Sequence, residues 1–131
     1  KKYIPKDKLI FECAVGNGKL KRKMEKEGYN VIVSNDFFND FPDYDILVTN
    51  PPYSLKDKFL EEAYKRGKPF TMLLPITALE GQKRQKLYKE YGIKILFPSK
   101  RIDFNGKGSP WFYVAWFCWK IKLPSILNFI N

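Results

Sequence analysis

Histidine is absent from this chain of 131 residues. That removes the commonest general base at neutral pH and the commonest metal ligand. Cysteine is scarce: Cys13 and Cys118 stand far apart, each inside an apolar run. Two such thiols read as reduced core residues, so neither a disulfide framework nor a zinc site is expected. No apolar run reaches the roughly 20 residues a membrane span needs, so no membrane association is expected. No signal peptide is recognisable, and a cytoplasmic location (host cytoplasm for a viral protein) is the expectation. There are no internal repeats and no low-complexity stretches.

Positive charge is abundant instead. Lysine and arginine number 24 against 14 acids, for a formal charge of +10. Such a balance suits a polyanionic partner, nucleic acid before acidic membrane, although a lysine-rich genome gives the same composition. Hydrophobic residues at 44% suffice for a packed core. The length suits one domain over 1–131, with a polar lead-in at 1–8 and a tail at 120–131.

The stretch from Asp45 to Tyr53 organises the rest. Ile46-Leu47-Val48-Thr49 is an apolar, β-branched run that reads as a buried strand. Asn50-Pro51-Pro52-Tyr53 ends it, because two successive prolines donate no N–H and fix φ. In an open α/β sheet, ligands sit at the carboxyl ends of the strands. A planar ring with an exocyclic amine needs a face to stack on and acceptors for its N–H groups. Tyr53 supplies the face; the Asn50 side-chain oxygen and the Pro51 carbonyl supply acceptors. An ordinary proline turn is the plainer reading of these four residues.

Upstream, Leu9 to Val15 is an apolar run interrupted by Glu12, followed by Gly16-Asn17-Gly18 and a charged helix over 19–27 that ends at Gly28. Strand, glycine turn and helix form the nucleotide-binding opening of a doubly wound sheet. An acid in a buried strand is costly unless something cationic meets it. A local lysine is the plainer partner. Residues 29–34 read as the second strand, and Asp36 just beyond it is placed to hold ribose hydroxyls. Phe37, Phe38 and Phe41 would wall an adenine ring or fill the core. Only nine residues, 37–45, then lead to the central strand. A crossover with its own helix needs at least about 10–12 residues. The usual third strand is therefore expected to be missing.

Ser54-x-x-Asp57 and Thr77-x-x-Glu80 resemble capping boxes and predict helices ending near Arg66 and at Gly92. Between them 70–75 reads as a buried strand. Ile93–Phe97 and the aromatic run Trp111–Trp119 predict a closing antiparallel pair joined by a polar, glycine-rich loop at 100–110. The fold class expected is α/β, a Rossmann-like, mostly parallel sheet with a C-terminal antiparallel hairpin and no third strand. Loops on its carboxyl face carry Lys56, Lys58, Lys83, Arg84, Lys100, Arg101 and Lys107, a set suited to a nucleic-acid backbone.

The Asn-Pro-Pro-Tyr stretch resembles the catalytic motif of class I amino-methyltransferases that use S-adenosylmethionine, above all the DNA adenine-N6 enzymes. Arg101-Ile102-x-Phe104 followed by Ser109-Pro110-Trp111 is similar to the phage-type subgroup. The resemblance covers the chain from the glycine loop to the final hairpin. It implies that Asn50, Pro51, Pro52 and Tyr53 are catalytic. It also implies that Glu12, Cys13, Ala14, Gly16, Gly18, Asp36, Phe37 and Asn50 hold S-adenosylmethionine, with Glu12 near its ammonium. Cys13 stands where many of these enzymes have proline. The implied activity is methyl transfer to the N6 amine of adenine in DNA, without a metal. The alternatives are an RNA base amine, a protein glutamine amide, whose methylases share Asn-Pro-Pro-Tyr, and a catalytically silent nucleic-acid-binding subunit. Target sequence and oligomeric state are open.

Overall fold

In the computed structural model, which describes residues 3–99 and 113–130, seven strands and three helices follow the apolar pattern. The strands are β1 (Leu9–Glu12), β2 (Asn30–Val33), β3 (Ile46–Thr49), β4 (Phe70–Pro75), β5 (Lys94–Phe97), β6 (Val114–Trp119) and β7 (Leu127–Phe129). The helices are α1 (Lys19–Lys26), α2 (Lys56–Arg66) and α3 (Gln82–Tyr91). One sheet contains all the strands, in the order β2-β1-β3-β4-β6-β5-β7. β1 runs parallel to β2 and β3, and β3 parallel to β4. β6 is antiparallel to both β4 and β5. This is the expected Rossmann-like sheet with its closing hairpin.

β3 and β4 are buried at every position because both faces of the sheet are covered. Phe11, Leu47, Phe70, Met72 and Phe117 point to the side of α2, where Phe59, Leu60, Ala63 and Tyr64 meet them. Ile10, Ile46, Val48, Leu73 and Trp116 point the other way, toward Met24 of α1 and the segments carrying Ile4, Ile121 and Leu123. Each fully buried large side chain contributes about 1.5–3 kcal/mol of transfer free energy. The alternation within each strand decides which half of the core each residue joins.

Among the described residues the third strand is missing. After β2 the chain makes a 3₁₀ turn at Phe37–Asn39 and then reaches β3 without helix or strand. Arg66 secures this shortcut from the end of α2. Its guanidinium lies over the rings of Phe37 and Phe41, 4.2 and 4.4 Å from their centroids. It donates to the Phe37 carbonyl and pairs with Glu62 at 2.8 Å. Phe37 is buried among Phe11, Phe59 and Phe38. Aromatic packing and one cation thus replace a crossover helix.

The helix starts need correction, and the tail adds a strand. Neither capping box forms: 3₁₀ turns at Tyr53–Leu55 and Ile76–Leu79 precede the helices, which start at Lys56 and Gln82 without a side-chain cap. Pro52 and Pro75 lead into these turns with extended ψ of 129° and 148°, and the helices begin only after the turns. The described part of the run to Trp119 is a strand from Val114; Trp111 and the loop 100–110 lie outside the described residues. Within the tail, Leu127–Phe129 forms an edge strand parallel to β5, which periodicity over so short a piece did not signal.

Candidate active site

The tips of β1 and β3 are neighbours in the sheet, paired in parallel through Ile10 with Ile46 and Phe11 with Leu47. The glycine loop after β1 and the Asn50-Pro51-Pro52-Tyr53 turn after β3 therefore leave the sheet side by side, from strands roughly 4.8 Å apart. A direct link joins them. Glu12, 1% exposed, accepts hydrogen bonds from the Ala14 N–H at 2.9 Å and from the Thr49 hydroxyl. Thr49 is fully buried and immediately precedes Asn50. Among the described residues no lysine meets Glu12, so the local-pair reading of this acid does not hold. Burial raises its carboxyl to about 7 from an ordinary 4.5, and the two hydrogen bonds draw it back only in part. A cation brought to this carboxylate would be stabilised strongly.

Gly16 and Gly18 both take positive φ, +53° and +80°. A Cβ on Gly18 would stand 3.0 Å from an Arg22 nitrogen, and Arg22 itself donates to the Asn17 carbonyl at 2.8 Å. At Gly16 and Gly18 the loop therefore presents bare backbone, while the Asn17 side chain caps the Lys19 N–H at 3.0 Å. The Gly16 N–H donates to the Asn35 side-chain oxygen at 3.2 Å, and Val15 N–H to Ser34 carbonyl at 3.2 Å, which ties the loop to the end of β2. Cys13 is buried and its thiol is pushed upward by that burial, so it is an inert wall and no nucleophile. Asp36 is exposed just past β2, its carboxylate accepting from the Asn39 amide at 3.1 and 3.2 Å. Phe37 belongs to the core, whereas Phe38 and Phe41 are exposed at 36% and 69%.

Asn50 is half-buried, and no group among the described residues hydrogen-bonds its side chain. Pro51 is buried and Pro52 exposed. The Pro52 carbonyl accepts from Leu55 N–H at 3.0 Å, closing the turn that carries Tyr53. Tyr53 packs partly against the α1 side of the core, and burial raises its phenol.

The described cations differ in how they are held. Lys56 is half-buried and reaches the Tyr53 carbonyl at 3.3 Å; Lys58 is exposed. Lys83 pairs on the surface with Glu61 at 3.1 Å. Arg84 bridges Asp57 at 2.7 Å and donates to the Ala78 and Glu80 carbonyls, so it braces α3 against α2. Lys100, Arg101 and Lys107 lie outside the described residues. No group of three metal-ligating side chains occurs among the described residues. Sequence reasoning missed Thr49 and Arg66. A threonine in an apolar β-branched run reads as strand propensity, and an arginine in a helix's last turn reads as a dipole partner.

This sheet has counterparts among solved methyltransferases. A dimethyladenosine transferase from Plasmodium falciparum matches with a TM-score of 0.59 at 16% identity, over 91% of this chain and 57% of that one. The 23S rRNA methyltransferase ErmE matches with a TM-score of 0.58 at 16% identity, over 95% of this chain and 66% of that one. No protein-family model and no curated protein sequence matches. The chain has the Rossmann-like methyltransferase fold and spans roughly three fifths of the length of these two structures.

Proposed function

We propose that the protein is an S-adenosylmethionine-dependent methyltransferase acting on the N6 amine of adenine in nucleic acid, with DNA as the acceptor its Asn-Pro-Pro-Tyr motif favours. The observation that carries this is the adjacency of the two strand tips: a buried carboxylate and a glycine wall beside β1, an amide and a phenol ring beside β3. The donor set fits the cofactor. Glu12 offers a carboxylate, met by no lysine among the described residues, for an ammonium; Gly16 and Gly18 let a ligand approach the backbone; Asp36 offers acceptors for a ribose. When bound, the cofactor supplies a methyl group made electrophilic by its sulfonium. The protein's own part is positioning. The Asn50 oxygen and the Pro51 carbonyl accept the amine's N–H groups, holding the nitrogen lone pair toward the cleft. Tyr53 stacks on the base and recovers on the order of 1–3 kcal/mol of the flipping cost.

An RNA acceptor is the second reading. The solved structures that share the fold are described as a dimethyladenosine transferase and a 23S rRNA methyltransferase, which favours it. The deciding experiment incubates the protein with methyl-labelled cofactor and, separately, single-stranded DNA, duplex DNA, RNA and glutamine-bearing protein. Nucleoside and amino-acid analysis follows. Labelled N6-methyladenine that vanishes in Asn50→Ala is expected. No heat with the cofactor alone in calorimetry would instead point to a silent subunit, and cofactor binding without any labelled adenine to another acceptor.

A further inference from the structure

β7 is built the wrong way round for an ordinary edge strand. Its polar residue, Asn128, is buried at 7% exposure, while Leu127 and Phe129 stand 53% and 70% exposed. A one-residue slip would bury both apolar side chains. Asn128 prevents that slip. Its side-chain oxygen accepts from the Ser125 N–H, and its amide nitrogen donates to the Ile95 and Ser125 carbonyls. The chain thus spends a buried amide to keep Phe129 outside.

The exposed ring is not isolated. Phe129 pairs with Phe97 in the parallel register and stacks on it, with centroids 5.0 Å apart and planes 16° from parallel. Tyr113, which leads into β6, is the next ring along, 6.2 Å from Phe97. β5 and β7 run in the direction of β3, and β6 runs against it, so these three aromatics all lie at the carboxyl edge. Tyr53 stands on that edge at β3. Four strand spacings, about 19 Å, separate β3 from β7.

We propose that the Phe97–Phe129 stack is a nucleobase platform: it binds a base of the single strand that carries the target adenine, no more than about six nucleotides away at a stacked rise of about 3.4 Å. This rests on the nucleic-acid reading of the Asn50 site. Exposed flat rings on a basic protein are what a single strand recognises without regard to sequence. A chain of charge +10 is suited to this polyanion, and two copies of it repel one another.

The test compares two single-stranded oligonucleotides, as DNA and as RNA, each with one adenine at its centre. One is a pentanucleotide, whose two flanking residues fall short of β7; the other has ten residues on each side. Phe129→Ala should weaken binding of the long strand about tenfold and leave the pentanucleotide unchanged. Phe129→Tyr should restore binding, and Leu127→Ser should leave it intact. Iodouracil placed three to six residues from the adenine should photo-crosslink to Phe129 or Phe97. Equal losses on both lengths, no loss on either, or a dimer that Phe129→Ala dissolves would overturn the platform. If the wild type binds neither length, the nucleic-acid reading itself has failed and the platform falls with it.

Discussion

The carboxylate of Glu12 and the hydroxyl of Thr49, 37 positions apart in sequence, meet in a buried hydrogen bond between the tips of two adjacent strands. This bond couples the base of the glycine loop to the residue that precedes Asn50. Thr49→Val keeps the shape but removes the donor, leaving a buried carboxylate with the Ala14 N–H as its remaining partner. The expected loss is about 1–3 kcal/mol of stability at neutral pH, read by urea unfolding. Thr49→Ser, which retains the hydroxyl, should recover most of it.

Glu12 also predicts a pH dependence. Its folded-state value of about 7 lies above the ordinary 4.5, so between those values the folded protein holds a proton that the unfolded chain has released. Stability therefore falls as pH rises through that window, by up to about 3 kcal/mol from this group. Glu12→Gln should flatten the fall and unfold at higher urea than the wild type at pH 8.5, with little difference at pH 4.5. The same variant should bind the cofactor more weakly, because an amide cannot meet an ammonium as a carboxylate does. A variant that is more stable at high pH yet binds less well would separate the functional cost of this acid from a structural role. Equal urea midpoints at pH 8.5 would show that the acid carries no such burden.

Arg66 predicts how the shortened crossover is held. Arg66→Ala removes the ion pair to Glu62, the bond to the Phe37 carbonyl and two ring contacts. A loss on the order of 2–4 kcal/mol is expected in chemical unfolding. Limited proteolysis should then open first between 37 and 45. Arg66→Lys should rescue little, since an ammonium cannot reproduce the planar fork between two rings.

Much of this architecture was legible in the sequence because the signals were short-range. Buried strands announced themselves as apolar runs at 46–49 and 70–75, and the nine residues of 37–45 left no room for a third strand. The glycine loop and the proline-ended strand were readable for the same reason: φ restrictions are local. What stayed hidden was long-range. The Glu12–Thr49 bond, the Arg66 clamp on Phe37 and the inverted register of β7 each join residues about 30 or more apart in sequence. Single-strand propensity contains no information on such pairings. The helix start at Lys56 was not legible because a Ser-x-x-Asp pattern does not reveal the 3₁₀ turn that precedes the helix.

Asn50 and Tyr53 make the sharpest functional prediction, since their roles on the amine are separable. Asn50→Ala removes an acceptor that matters most as the nitrogen gives up its proton density, so kcat should fall about a hundredfold. The KM for nucleic acid should change little, because the ring platform remains. Tyr53→Phe keeps the stacking face and should retain activity, whereas Tyr53→Ala should raise KM about tenfold. Steady-state kinetics on one adenine-containing oligonucleotide would measure both. If Tyr53→Phe lost as much activity as Tyr53→Ala, the phenol oxygen and not the ring face would be the working group. Tyr53 would then belong among the hydrogen-bonding residues of the site, beside Asn50, and the base would need another surface to stack on.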